Sequence, residues 1–425
     1  MSSHAIVARL LDRLHQVREL LGQELLAADA NTRFVDALDS MGFVEFLALV
    51  AEDYGVPVET IEQAAGRRYG SVGEFAAALD AAGLSFGHNI PPQARSASDG
   101  IPASAFRTQK ASAWLAATAA KLPANRQPAS AINALLHRPP GWLEEHAGIE
   151  ARYLWGEDDP LDAAAHTAQD CLRQAELSPS AVGALLVTSE APPLLTGLAA
   201  ALHARLGLPT GSAALEIGGA CTGFLSAVWT AQHLLSDMAA VLVIAIEAPS
   251  RWLPLSPTPV GEAAALFGDA AAACLLTAQS VCGNSLYLRD IVLGTDGAAG
   301  PLLRVEMAAG RGAELHMDGI ALAHRAVRTM AESVQNVCTR NSLAVDQLAS
   351  VIAHGGNGRM PALLARRLDL RPQQVHSETT RTGNLGSTSL PVAWSARTPS
   401  ASHPVVWAAV GAGLQWGAAL FDART

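Results

Sequence analysis

The stretch IGGACTGF, residues 217–224, places one cysteine between small residues at a point where the sequence pattern changes. The apolar run AALEIGG before Cys221 is typical of a strand, and GFLSAVWTAQHLL after it has apolar residues at helical spacing. A turn from strand to helix exposes a nucleophile, and small neighbours permit the tight backbone of such a turn. Because the backbone amide and the helix dipole favour a thiolate there, the stretch predicts that Cys221 is reactive.

The segments around this stretch alternate between two patterns. Short apolar runs such as VGALLVTSEA, AVLVIAIEA and AAAACLLTA are separated by helical stretches such as TGLAAALHARLG. The later runs LASVIAHGG and HPVVWAAVGAG, with helical stretches nearby, repeat the scheme. The alternation predicts an α/β architecture of two similar halves, about 111–283 and 284–425.

Composition narrows the possible functions. A chain of 425 residues is long enough for two or three domains, and its net charge of −10 gives no basic footprint for nucleic acid or an anionic membrane. No segment has the roughly 18 consecutive apolar residues of a membrane span. The cysteine spacing suits neither a disulfide framework nor a zinc site, so we expect a reducing cytoplasm and no metal. The cysteines other than Cys221 are expected to be inert packing residues: Cys171, Cys274, Cys282 and Cys338.

The first fifth of the chain has a different character. Residues 86–110 are rich in Gly, Pro, Ser and Ala without periodicity, which predicts a flexible linker. Before it, residues 1–85 contain three stretches with helical periodicity and a net charge of −7, which predicts a small acidic helical domain. Asp39, Ser40 and Met41 stand directly ahead of the second helical stretch, where Asp39 or Ser40 could simply cap the helix.

The segment FVDALDSMGFVEFLALVAEDYGV, residues 34–56, resembles acyl carrier proteins, and the resemblance covers nearly all of residues 5–85. It implies an all-α four-helix bundle in which Ser40 holds a covalent 4′-phosphopantetheine, whose thiol bears acyl groups as thioesters. Met41 and Gly42 depart from the residues usual in that family. The remaining apolar positions at helical spacing are expected to be core: Phe43, Phe46 and Leu47.

Two further segments join Cys221 in a second resemblance. VIAHGGNGR ends an apolar run with His354, and TGNLGSTSLPVAW sets Asn384 in a turn of small residues. Residues 110–425 resemble the β-ketoacyl-ACP synthase III group of the thiolase superfamily. The other segments that carry this resemblance are, in their order along the chain, GWLEEHAGIEARYL, GACTGFLSA, LFGDAAAACLL and GAGLQWGAAL. The resemblance implies a thiolase fold of five layers (αβαβα) and a homodimer.

The resemblance also implies roles for individual residues. Cys221 would attack an acyl thioester, with the oxyanion held by the backbone N–H groups of Cys221 and Ala412. His354 and Asn384 would donate hydrogen bonds to the enolate that forms when a malonyl-type thioester loses carbon dioxide. An amide at position 384 favours carbon–carbon bond formation.

Departures from the family pattern bear on substrate choice. Trp142 matches the family's aromatic contact to the adenine of coenzyme A, but His146 replaces a usual Arg, and Val260, Gly261 and Glu262 replace a usual Asp-Arg-Gly. Losing two cationic contacts should weaken coenzyme A binding. The remaining positions implied to bind substrate or carrier are Asn357, Arg359, which would dock acidic carriers, and Thr196, at the end of the acyl pocket.

Three functional hypotheses follow. The first is a carrier-dependent condensing enzyme of polyketide or related specialised metabolism. It would act on acyl thioesters of its own or separate carrier proteins or of coenzyme A, with other carrier proteins or synthase enzymes as partners. The second is an acyltransferase on the same fold that delivers the acyl group to an oxygen, nitrogen or sulfur nucleophile. The third is a catalytically impaired docking partner, against which the intact Cys221, His354 and Asn384 argue.

Overall fold

The computed structural model describes residues 3–21, 26–38, 40–56, 58–65, 70–84, 111–194, 197–308, 312–317, 319–397 and 404–422. The chain divides into two compact units, Met1–Gln109 with Gly319–His324 and Lys110–Asp318 with Arg325–Thr425. The predicted linker, residues 86–110, lies outside the described residues.

The first unit is helical. Helices lie at the three predicted stretches, with shorter ones between them, and the described helices of residues 1–85 are α1 Ser3–Leu20, α2 Phe34–Ala37, α3 Ser40–Tyr54, α4 Val58–Ala65 and α5 Val72–Ala81. Ser71 caps α5 through a reciprocal capping box with Glu74. Aromatic rings from α2, α3 and α5 meet at its centre, with Phe34 4.9 Å from Phe46 between ring centroids. Phe43, Phe46 and Leu47 are buried there, as predicted.

A buried carboxylate joins α1 to α3. Asp53 accepts hydrogen bonds from Arg9 Nη2 at 2.8 Å and from Arg13 Nε at 2.8 Å, and its side chain is only 6% exposed. Burial by itself raises the pKa of Asp53, but the hydrogen bonds from Arg13 and Arg9 prevail and lower it from 3.8 to about 2. The folded state therefore holds the ionised form of this carboxyl group more strongly than the unfolded state does.

We expect Asp53→Asn to lower the stability of the helical unit by about 1–3 kcal/mol at pH 7, because charge-assisted hydrogen bonds are lost. The folded pKa lies below the unfolded one, so the wild-type advantage should be complete above pH 4 and disappear as the pH falls towards 2. Hydrogen–deuterium exchange of α1 and α3 peptides in the full chain measures it. The control is Asp36→Asn, whose carboxylate is 66% exposed in its pair with Arg33. Equal exchange rates in the two variants would contradict the prediction.

The second unit alternates strands and helices. Its described strands are β1 Trp114–Lys121, β2 Asn125–Pro128, β3 Ala151–Leu154, β4 Val182–Thr188, β5 Ala213–Glu216, β6 Ala240–Glu247, β7 Ala270–Thr277, β8 Leu286–Thr295, β9 Leu303–Ala308, β10 Gly312–Met317, β11 Ser350–Ala353, β12 Val375–His376, β13 Val405–Gly411 and β14 Gln415–Asp422. Its described helices are α6 Ala129–Leu135, α7 Trp142–Ala147, α8 Pro160–Gln174, α9 Leu198–Leu206, α10 Gly223–Leu234, α11 Pro259–Ala264, α12 Gly319–Arg340, whose first six residues are assigned to the first unit, α13 Met360–Arg367, α14 Thr379–Thr382 and α15 Ser389–Ser395.

Ten of these strands form one mixed sheet in the order β12-β11-β13-β14-β8-β1-β7-β6-β4-β5. The two halves meet at the central β8–β1 pair, where Trp114 lies opposite Tyr287. Counted outward from this pair, β8, β14, β13, β11 and β12 correspond to β1, β7, β6, β4 and β5. In each half the three outer strands are parallel, and the two inner ones are antiparallel to their neighbours. Each half of the sheet thus repeats the other in order and direction.

Helices cover the sheet on both faces. α10 and α15 share one buried cluster with strands of both halves, which includes Phe224, Trp394 and Trp407. α8 and α9 pack against the other face of the first half, with Leu172 and Leu202 in that cluster. Because α10 and α15 both pack against strands of the two halves, the turns that precede these helices come into contact.

The strands and helices predicted from apolar runs in residues 111–425 are present in the structure. No helix among the described residues is long and apolar enough to cross a membrane. Cys171, Cys274 and Cys338 are buried, and Cys282 is half-buried; all five cysteines are free thiols.

Candidate active site

Cys221 lies in a single helical turn, Ala220–Thr222, between β5 and α10. The preceding residues take unusual backbone conformations, with φ of +134° at Gly219 and +48° at Ala220. A non-glycine residue with positive φ is strained, and such strain is common where a nucleophile is presented at a sharp turn. Thr222 Oγ1 secures the turn by donating to Gly219 O at 2.6 Å.

The thiol of Cys221 has a carboxylate as its partner. Sγ donates a hydrogen bond to Glu190 Oε2 at 3.0 Å, and Cys221 is only 5% exposed. Burial raises the pKa of the Cys221 thiol well above its usual value, and the negative charges of Glu190 and Glu247 raise it further. In the free protein, desolvation and two nearby carboxylates oppose the thiolate that the backbone amide and the helix dipole were expected to favour.

Glu247, at the end of β6, anchors two loops. Its carboxylate accepts hydrogen bonds from Glu190 N at 2.9 Å, from Ala191 N at 2.8 Å and from Ser387 N at 3.1 Å, and also from Ser387 Oγ. Burial raises the pKa of Glu247, the charge of Glu190 raises it further, and these hydrogen bonds oppose both effects. Because Glu190 follows β4 and Ser387 precedes α15, one buried side chain ties the two halves of the sheet together at the site.

His354 follows β11 and is almost completely buried. Its Nδ1 lies 3.0 Å from Ser389 Oγ, which in turn lies 2.8 Å from Gly386 O. The serine hydroxyl has one proton: when it donates to Gly386 O, Nδ1 carries the imidazole proton and Nε2 is an acceptor; when it donates to Nδ1, Nε2 is a donor. Burial lowers the pKa of His354 to about 4, so the ring is neutral near pH 7.

Asn384 lies in a turn that its own amide organises. Oδ1 accepts a hydrogen bond from Gly386 N at 2.9 Å, which leaves Nδ2 to point away from that turn as a donor. A Cβ atom added at Gly356 would lie 3.8 Å from Asn384 Nδ2 and 3.9 Å from His354 Nε2. The two nitrogens therefore converge on one small region.

The site residues of the two halves are in contact through the turns that hold them. The turn of Cys221 packs against the turn Gly386–Thr388, which follows Asn384. Gly411, the last residue of β13, backs the nucleophile, because a Cβ there would lie 2.9 Å from Cys221 N. Ala412 is the next residue along, so the structure sets it beside the nucleophile's turn.

A cavity of about 40 Å³ opens beside these groups. A volume of this size holds a few water molecules. The lining includes carboxylate, amide and apolar groups, and its residues are Glu190, Ala191, Glu247, Pro249, Trp252, Leu253, Phe267, Gly268, Leu315, Asn384 and Gly386.

Trp142, the first residue of α7, is already engaged by its own chain. The Arg138 guanidinium lies 5.2 Å from the centre of its ring, and the His146 ring stacks on it at 5.2 Å. Arg138 also donates to Glu262 Oε1 at 2.9 Å. Glu262, which departs from the family pattern, thus pairs with Arg138, the cation beside Trp142.

The other predicted binding residues lie elsewhere. Arg359 donates to the backbone carbonyls of Glu144 and Glu145 at the end of α7, and its own N–H donates to Asn357 Oδ1 at 2.9 Å. Thr196 lies outside the described residues, and Ser40 is the first residue of α3. The described residues bring no three His, Cys, Asp or Glu side chains together where they could hold a metal ion.

The sequence analysis missed Glu190 and Glu247. Both stand at the carboxyl ends of apolar runs, VGALLVTSEA and AVLVIAIEA, which were interpreted only as strands. In open α/β sheets, ligands bind at the carboxyl ends of the strands, so a carboxylate there was an available signal.

Comparisons with known proteins show which family and which folds the chain resembles. Two family models match: 3-oxoacyl-[acyl-carrier-protein] synthase III over residues 215–310 and its C-terminal part over residues 338–423. The chain is 32% identical over 342 residues to the 3-oxopimeloyl-[acyl-carrier-protein] synthase of Rhodothermus marinus, covering 76% of this chain and 97% of that protein. It is similar to the crystal structure of 3-oxoacyl-(acyl carrier protein) synthase III from Pseudomonas aeruginosa, with a TM-score of 0.66, 26% identity and coverage of 74% of this chain and 99% of that one.

A further similar structure is the priming β-ketosynthase of the R1128 polyketide pathway, with a TM-score of 0.66, 21% identity and coverage of 75% and 99% of the two chains. The fold is thiolase-like, with a large mixed sheet, and the protein is a condensing acyltransferase. More particularly, the chain belongs to the 3-oxoacyl-[acyl-carrier-protein] synthase III family.

We expect Glu247→Gln to lower the free energy of unfolding of the second unit by about 2–4 kcal/mol, because the new amide group leaves buried N–H donors without acceptors. Differential scanning calorimetry of the full chain measures the loss. The control is Glu157→Gln, at an exposed loop position. A melting temperature equal to that of the control would show that the Glu247 hydrogen bonds do not hold the site together.

Proposed function

We propose that the protein forms carbon–carbon bonds by decarboxylative condensation of a carrier-bound acyl group with a malonyl-type thioester, in polyketide or related specialised metabolism. The observation that best supports this is the orientation of Asn384, whose amide presents a donor beside His354 Nε2. A condensing site needs such a donor where enolate charge develops.

The first half-reaction loads the enzyme. Cys221 Sγ attacks the thioester carbonyl, and the backbone N–H groups of Cys221 and Ala412 hold the oxyanion. The carrier thiol leaves, and the acyl group stays on sulfur. The closeness of Gly411 to Cys221 N supports this assignment, since it brings the strand before Ala412 against the nucleophile.

The second half-reaction needs a sink for negative charge. When the malonyl-type carboxylate leaves as carbon dioxide, the enolate oxygen accepts hydrogen bonds from Asn384 Nδ2 and His354 Nε2. The enolate carbon then attacks the carbonyl carbon of the acyl group on Cys221, the carbon–sulfur bond breaks, and Cys221 leaves as the thiolate. This step requires the His354 tautomer with a proton on Nε2, in which Ser389 donates to Nδ1.

The second candidate, acyl transfer to an oxygen, nitrogen or sulfur nucleophile, has one observation in its favour. Ser389 Oγ lies 2.8 Å from Gly386 O, and a hydroxyl that donates there leaves His354 Nε2 as a proton acceptor. A neutral imidazole with a free Nε2 lone pair suits a general base for the incoming nucleophile.

Asn384→Asp separates the two candidates. In the variant Gly386 N can still donate to Oδ1, while the donor facing the site becomes an acceptor. We expect release of carbon dioxide from a malonyl carrier thioester to fall 10²–10³-fold, roughly the effect of losing one oxyanion donor, with acylation of Cys221 retained. Headspace carbon dioxide and intact-protein mass spectrometry measure the two steps.

Asn125→Asp, at an exposed position of β2, is the matched control, and Cys221→Ser should abolish acylation under either candidate. A wild-type enzyme that never decarboxylates a malonyl carrier thioester, yet acylates an alcohol, amine or thiol, would establish the acyltransferase instead.

We also propose that residues 1–85 are an acyl carrier domain with 4′-phosphopantetheine on Ser40. The group's thiol would supply the thioester linkage for acyl chains. The fit is that Ser40 begins α3, a helix of 15 residues, and the positive end of a helix dipole favours a phosphodiester. Arg138 beside Trp142 supports carrier-bound substrates over free coenzyme A, because a nucleotide base must compete with it for the ring.

A phosphopantetheinyl transferase with coenzyme A should add about 340 Da to the protein, by the chemistry of the arm. The gain should vanish in Ser40→Ala. Ser71→Ala, which removes the cap of α5 in the same unit, should still gain the mass. A gain that persists in Ser40→Ala would refute the assignment of this serine.

The proposal includes a cytoplasmic homodimer. β5 is at the end of the sheet, pairs only with β4 among the described strands, and leaves Leu215 44% exposed. An open sheet edge with an exposed apolar residue is a natural surface for twofold pairing with a second copy.

A further inference from the structure

The buried Cys221 thiol and the half-buried Glu190 carboxylate form a pair that the condensing chemistry described above does not use. Sγ to Oε2 is 3.0 Å, within hydrogen-bond range for sulfur. Glu190 is two residues beyond β4, and its backbone N–H donates to Glu247. The main chain of Glu190 is thus held by one carboxylate while its own carboxylate faces the nucleophile.

The surroundings restrict where the Glu190 carboxylate can go. Gly386 has φ of +52°, and a Cβ there would lie 3.2 Å from Glu190 Oε2 and 3.0 Å from Glu247 Cδ. A side chain at that position would crowd both carboxyl groups. The fold therefore keeps a glycine where the two carboxyl groups approach the Asn384 turn.

We propose that Glu190 is a catalytic residue, the proton acceptor for the Cys221 thiol when the enzyme is acylated. As sulfur bonds to the thioester carbon, the S–H bond breaks and its proton passes to Glu190 Oε2. When the tetrahedral intermediate collapses, the carbon–sulfur bond to the carrier breaks, and Glu190 returns the proton to the departing thiolate. No proton is gained or lost overall, and the inference rests on the proposed role of Cys221 as nucleophile.

Electrostatics explain why a local acceptor is needed. Burial raises the pKa values of both the thiol and Glu190, so the site resists a second negative charge. Moving the proton from sulfur to Glu190 keeps the total charge constant throughout the attack. Ionisation of the thiol to solvent would instead add a charge beside Glu247, whose negative charge also acts on Cys221.

The test is single-turnover acylation of the full chain by an acyl thioester, followed by intact-protein mass spectrometry from pH 6 to 9. Glu190→Gln should acylate at least about 10²-fold more slowly at pH 7, the usual effect of losing a positioned base. The wild-type rate should level off at a lower pH than the variant rate, because it follows the ionisation of Glu190 rather than that of the thiol. The variant rate should still rise at pH 9, because its thiol must ionise to solvent.

Two controls keep the result interpretable. Glu190→Asp retains a carboxylate and should keep the wild-type form of the pH profile at a lower rate, and Glu157→Gln should match wild type. Should Glu190→Gln fail to fold, the Asp variant decides: a Glu190→Asp rate and pH profile equal to those of wild type overturn the proposal. Equal rates and profiles in folded Glu190→Gln and wild type do so as well.

The outcome is distinct from that of the proposed function. Acylation of Cys221 precedes both condensation and acyl transfer, so the measurement does not depend on which follows. If no thioester acylates wild-type Cys221, the nucleophile assignment fails, and the inference fails with it. If wild type acylates and the Glu190 variants are unaffected, only the inference fails.

Discussion

The Glu247 carboxylate is the constraint on which the site depends. It ends β6 in the first half of the sheet and accepts hydrogen bonds from the loop after β4 and from the turn before α15 in the second half. A buried carboxylate is stable only when such donors surround it, and these donors belong to the segments that position Glu190 and Asn384. The hydrogen bonds that the buried Glu247 carboxylate requires therefore fix the positions of the two segments that carry Glu190 and Asn384.

The repeat of the sheet gives each polar residue a counterpart. Cys221 follows β5 and precedes α10, and Asn384 follows β12 and precedes α15, so nucleophile and amide occupy equivalent loops. Glu190 follows β4 as His354 follows β11. The first half thus supplies a thiol with a carboxylate, and the second half supplies an amide with an imidazole. Duplicated loops at the carboxyl ends of parallel strands have diverged into acidic and neutral members of one site.

Much of this arrangement could be predicted from local patterns. The outer strands and the helices between them have apolar runs of the right period, and Cys221, His354 and Asn384 stand at their ends. The central strand β1, WLAATAAK, gave no such signal, because alanines favour helices in isolation and form a strand here between β7 and β8. Glu190 and Glu247 were missed because their partners are distant in sequence. The pKa of the Cys221 thiol depends on its burial and then on those same distant carboxylates, neither of which the local sequence around Cys221 contains.

The Arg138 guanidinium lies over the Trp142 ring, so this ring already has a stacking partner in the free protein. A free nucleotide that stacks on this indole has to displace a cation already tethered to the protein at high effective concentration and held by Glu262. If coenzyme A stacks on Trp142 as proposed, Arg138 would compete with it, and the Arg138–Glu262 pair would set the strength of that competition. Selectivity against free nucleotide thioesters would then come from a penalty on that ligand and would need no added contact with a carrier protein.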